Sequence, residues 1–190
     1  MATLKDRVII GAIAGAAALL TRDVYNIIAK AIGLAKFYVW QLGASLFLQE
    51  KIDIQGIGGA IVGIPADMIM GALIGVVFVY FLKWTEDKNP ILKGWGTGLA
   101  AWLLLYGFFW HNLPTVQQKG APGDVLSNLS ALLGHSVFGL ALGIYAWYLM
   151  KWQGLVQTGK SGKGGKGDGE VDDDADDKHG VAAPKAPSVP

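Results

Sequence analysis

Gly59-Ala-Ile-Val-Gly63-Ile-Pro65-Ala-Asp67-Met-Ile-Met-Gly71-Ala-Leu-Ile-Gly75 decides how the chain is read. In steps of four it gives Gly59, Gly63, Asp67, Gly71 and Gly75. Residues four apart lie one turn above another on the same side of a helix. The stretch therefore predicts a helix with a smooth glycine strip and one carboxyl group in its middle. The apolar run continues through Leu82. In lipid, small residues let helix backbones approach closely, and such packing is a main source of helix association. A lone acid at that depth is costly and needs a partner.

Working outward, the chain of 190 residues is 52% hydrophobic and 16% charged. Soluble domains carry about 25% charged residues. The apolar residues come in long blocks, which is a membrane signature. Net charge is +1, so no global field points to nucleic acid. Through residue 159 there are 11 Lys+Arg against 8 Asp+Glu, and from 160 onward 5 against 7. The absence of cysteine removes disulfides and thiol chemistry from consideration.

Four transmembrane spans are expected, at about 8–32, 57–82, 91–112 and 126–152, forming an all-α, polytopic four-helix bundle over 1–153. Val8 to Leu20 follows Lys5 and Arg7 and resembles a signal peptide. Thr21-Arg22-Asp23 follows without a small-residue cleavage pattern, so the segment is read as an uncleaved first span. Lys36 to Gln49 is too short for the ~20 residues of a crossing. Its aromatic content suits an interfacial helix at 36–49, with a re-entrant hairpin as the alternative. Glu50 to Gln55 reads as a loop. Pro65 removes a donor within the second span and predicts a kink. Asp124 or Ser127 is expected to cap the last span. Residues 154–190 are Gly/Lys-rich and then Asp-rich, and are expected to form a disordered tail.

Four spans place both termini on one side, and the distribution of lysines puts that side in the cytoplasm of a cell (inner) membrane. At about 1.5 Å per residue, Asp67 lies roughly 15 Å and His135 about 13 Å in from the outer face. Arg22, Asp23 and His111 fall in that same half. The fourth span repeats the second, reading Ser127, Ala131, His135, Gly139 and Gly143 in fours. Gly11 and Gly15 on the first span and Gly94 and Gly98 on the third supply further packing pairs. The second and fourth spans are expected to pack closely so that Asp67 meets His135. Arg22 is a competitor for Asp67, and Asp23 is able to fold back onto Arg22. Near a helix end, snorkelling and local pairing account for that pair.

Gly134-His135-Ser-Val-Phe-Gly139-Leu-Ala-Leu-Gly143, with Lys5-Asp6-Arg7-Val8 before the Gly11/Gly15 helix, resembles small four-span inner-membrane proteins of Gram-positive spore-forming bacteria. The resemblance covers about residues 4–150. It implies a bacterial membrane protein and carries no activity.

No close-spaced metal-ligand pair, P-loop, Gly-x-Ser-x-Gly or His-Glu-x-x-His occurs. No catalytic residue, cofactor or metal is expected. The first functional reading is a non-enzymatic membrane component acting through helix packing and contact with a partner, either a second copy or another membrane protein. The alternative is a small oligomeric proton- or ion-coupled transport protein using Asp67 and His135. A membrane-embedded lipid enzyme is a third.

Overall fold

The computed structural model describes residues 4–86, 88–109 and 124–155. The chain divides into two units, Met1–Gln157 and Thr158–Pro190, and the second lies outside the described residues. His111 and, beyond Leu155, the expected disordered tail of 154–190 also fall outside them.

Every regular element among the described residues is helical. In chain order they are α1 (Leu4–Ala31), α2 (Trp40–Ser45), α3 (Lys51–Gln55), α4 (Ile57–Trp84), α5 (Pro90–Trp102) and α6 (Val125–Trp152). Beyond Trp102, α5 loosens into a π-helical stretch, Leu103–Phe109. Among the described residues, three helices are long and apolar enough to cross a membrane: Arg7–Ala31, Ile57–Trp84 and Val125–Trp152. Local chemistry sets several boundaries. Pro90 opens α5, where its missing N–H is not needed. Asp124 rather than Ser127 caps α6, its side chain accepting from the Ser127 N–H at 2.9 Å.

The glycine strips decide which helices meet. A Cβ on Gly75 would strike the Gly15 Cα at 2.7 Å, and one on Gly94 would strike the Gly143 Cα at 2.7 Å. Gly11 and Gly15 thus seat α1 against Gly71 and Gly75 of α4, while Gly94 and Gly98 seat α5 against Gly139 and Gly143 of α6. Each long helix is zipped to its neighbour in the chain. The two hairpins are then joined through α1 and α6, so that α1 stands between α4 and α6. This corrects the expected close packing of the second and fourth spans. The physical reason is that the α4 strip is already filled by α1.

The two hairpins repeat one another. Asp67, Gly71, Gly75, Tyr80, Lys83 and Trp84 recur 68 positions later as His135, Gly139, Gly143, Tyr148, Lys151 and Trp152. The Cβ contacts follow the same register, since Gly15 faces the Gly71 carbonyl as Gly94 faces that of Gly139.

The 36–49 segment is not one boundary helix. It holds the six-residue α2, and the expected loop at 50–55 contains α3. Both pack on the first turns of α4. Gly63 lies against the Trp40 carbonyl and Gly59 against the Ile54 backbone, approaches that any side chain there would block. A Cβ on Gly43 would lie 3.5 Å from the Asp67 backbone N, so the segment reaches the level of that acid.

Burial splits the bundle along its axis. The half holding the start of α1 and the ends of α4 and α6 is apolar, with Phe78, Leu82, Leu142, Ala146 and Met150 fully buried. In the other half Arg22, Asp23, Asn26, Ser127, Ser130 and His135 are buried beside small and apolar residues such as Ala29, Val39, Ala44 and Ala131.

Candidate functional site

The polar half is centred on Arg22. It sits on the α1 face that turns inward between α4 and α6, and its side chain is 5% exposed. One guanidinium nitrogen, Nη2, donates to Asp23 Oδ1 at 2.9 Å and also to Asp67 Oδ2 of α4. Gly134 of α6 makes the room: a Cβ there would lie 3.3 Å from the Tyr25 ring and 3.7 Å from Arg22 Cγ. Arg22 Nε has no hydrogen-bond partner among the described residues.

Asp67 therefore pairs with Arg22, and the expected meeting with His135 does not occur. Full opposite charge at hydrogen-bond distance outcompetes an imidazole, and α1 stands between α4 and α6. The His135 Nδ1 lies 2.8 Å from the Ala131 carbonyl one turn back on its own helix, and bonds it as an N–H donor. The ring meets Tyr106 edge to face, with centroids 5.4 Å apart. Both rings are buried and stand within range of the Arg22 charge. The structure thus gathers Arg22, Asp23, Asp67, His135 and Tyr106, contributed by four helical segments. Arg22 and Asp23 are 4% and 8% exposed, so the expectation that Arg22 snorkels to a boundary is corrected.

Secondary contacts brace this group. Tyr25 donates to the Ser130 carbonyl at 3.3 Å, and the Thr21 and Tyr145 hydroxyls meet at 3.0 Å, both linking α1 to α6. Asn26 Oδ1 accepts from the Val39 N–H at 2.9 Å, tying α1 to the segment before α2. Outside the helical spans, Lys36 reaches the Asp124 carboxylate at 3.1 Å. The Ser127 N–H bond, reinforced by Lys36, holds the Asp124 carboxyl below the usual aspartate range.

Sequence reasoning found the ionisable members and missed Tyr106, Asn26 and Gly134. Tyr106 has a signal in hindsight: Gly94, Gly98, Trp102 and Tyr106 form the same four-residue series as the other strips. No group of His, Asp and Glu among the described residues has the geometry of a metal site. Chemically, the arrangement is a charge clamp. One cation faces two carboxyl groups inside a bundle, and a histidine packs beside it without joining the ion pairs. Comparison with protein-family models, curated proteins and solved structures finds no match.

Proposed function

We propose that this chain is a four-crossing protein of the cell membrane that works through helix packing and contact with a partner, without catalysis. The third of these crossings in chain order is Pro90–Phe109, with its π-helical end, and both termini face the cytoplasm. The observation that carries this reading is that the intramembrane cation finds its counter-charges within the chain. Arg22 is matched by Asp23 and Asp67, and the three side chains are only 5%, 11% and 12% exposed. Such a group fixes which helices meet and at what height, because sliding α1 by one turn would part Arg22 from Asp67 and leave that carboxyl group without its cation in an apolar setting. Braces from α1 to α6 and to the α2 segment serve the same purpose.

A second reading, ion- or proton-coupled transport, draws on the surplus of carboxyl groups over guanidinium and on the unmatched Arg22 Nε. Such surplus groups mark ion pathways in other membrane bundles. Flux in proteoliposomes separates the readings. Equal, negligible proton flux from wild type, Asp67→Asn and His135→Ala supports the packing reading. Wild-type flux above protein-free vesicles that Asp67→Asn abolishes would replace it with transport.

A further inference from the structure

An apolar groove of about 570 Å³ opens between α5 and α6 on the outside of the second hairpin. Its volume lies within the roughly 300–1,000 Å³ typical of ligand sites. Ile91, Leu92 and Trp95 of α5 form one wall, Leu140 and Trp147 of α6 the other, and Asn89 closes the end. Asn89 adopts a left-handed backbone (φ 53°, ψ 50°), and its side chain makes no capping bond to α5. Lys151 stands over the Trp147 ring, with its ammonium 5.0 Å from the ring centroid.

We infer that this groove holds an anionic phospholipid of the cytoplasmic leaflet. The inference rests on the four-crossing reading, which gives the groove its surroundings: lipid along its length, and the leaflet boundary at the Asn89 end. An acyl chain fits an apolar trough walled by two indoles. The charge at the end of the trough selects the headgroup. Lys151 lies beside it, and Lys83 belongs to the same end of the bundle, whereas Lys88 is paired with Glu86 at 2.7 Å. Lys93 is committed elsewhere, donating to the Thr85 and Glu86 carbonyls at 2.8 and 2.6 Å. Basic pockets between spans on the cytoplasmic side are known to take acidic headgroups. The groove belongs to the second hairpin alone in its chemistry. At the equivalent positions of the first, 68 residues earlier, Ala72 and Val79 replace Leu140 and Trp147, and Val79 is buried in the core.

The test is native mass spectrometry of the full chain in detergent, titrated with phosphatidylglycerol or with phosphatidylcholine of identical acyl chains. Wild type is expected to bind phosphatidylglycerol preferentially. Lys151→Gln should weaken that binding about fivefold, the effect of one lysine near a lipid surface. It should leave phosphatidylcholine unchanged. Leu140→Trp, which fills the trough, should lower the affinity for both lipids while helical circular dichroism stays at the wild-type level. Equal binding of the two lipids by wild type would overturn the inference. So would a preference that survives both substitutions, or competition by inorganic phosphate as effective as the lipid itself. The four-crossing reading is tested separately by labelling from the two sides of the membrane, so failure of one is distinguishable from failure of the other.

Discussion

Removing the central cation should cost far more than removing either of its partners. Arg22 and Asp67 side chains are 5% and 12% exposed, so the small 0–1 kcal/mol of a surface pair does not apply. In Arg22→Leu, two buried carboxyl groups lose their shared cation. Breaking a buried pair by deleting one partner costs about 3–5 kcal/mol, and here both acids are orphaned at once. Asp67→Asn is different. Asp23 still matches Arg22, and an amide oxygen still accepts a hydrogen bond, so the loss is the strengthening that charge gives that bond, about 1–2 kcal/mol. The ordering is therefore Arg22→Leu well above Asp67→Asn, with a gap of about 2 kcal/mol or more. Equilibrium unfolding of the reconstituted protein by a denaturing detergent, followed by circular dichroism, reads both losses on one scale. The double variant Arg22→Leu/Asp67→Asn should recover part of the loss, since one stranded acid is neutralised. If Arg22→Leu costs no more than Asp67→Asn, or if the double variant is worse than the sum, the clamp is not what organises the bundle.

Glycine substitutions should separate contact from open space: Gly75→Ala and Gly94→Ala each lose about 1–3 kcal/mol in the same unfolding assay, because their new methyl groups meet backbone. Gly96→Ala, with nothing within 4 Å, should be at least as stable as wild type. Gly63→Val should push α2 off α4, making a cysteine placed at the fully buried Ala44 reactive to a thiol reagent that does not label it in the parent. The Asp124 cap gives a pH dependence. Its carboxyl is held low by the Ser127 N–H, so the cap is fully present above the ordinary aspartate value of 3.8 and is lost as pH falls through the lower folded-state value. Hydrogen exchange at the Ser127 amide should accelerate over that acid range in wild type, and Asp124→Asn should remove the dependence.

The helices were legible because glycine and ionisable residues recur every four positions, and a helix turns such spacing into a strip. Which strip faces which was not legible. Gly71 and Gly139 look alike in sequence. Connection length does not assign their partners: α4 is joined to α5 through residues 85–89 alone, yet its strip is taken by α1, across the longer 32–56 segment. Once α1 fills the α4 strip, Asp67 has Arg22 within reach and His135 does not. The segment from 36 to 55 was opaque for another reason. Its helices are too short to show a period, and they are held by absent side chains, at Gly59 and Gly63, on a helix that follows them in the chain. The π-helical stretch Leu103–Phe109 opens on three leucines, which carry no mark of the change in winding.

The absence of native cysteine makes side-specific labelling the most direct test of the four-crossing account. Single cysteines at Ile52 and Val125, 81% and 76% exposed, should be modified by an impermeant maleimide added to intact cells. Cysteines at Lys88 and Gln153 should react only after the cells are opened. Labelling of positions 52 and 88 from the same side would remove a crossing between them, reverse the helices that follow, and contradict the account.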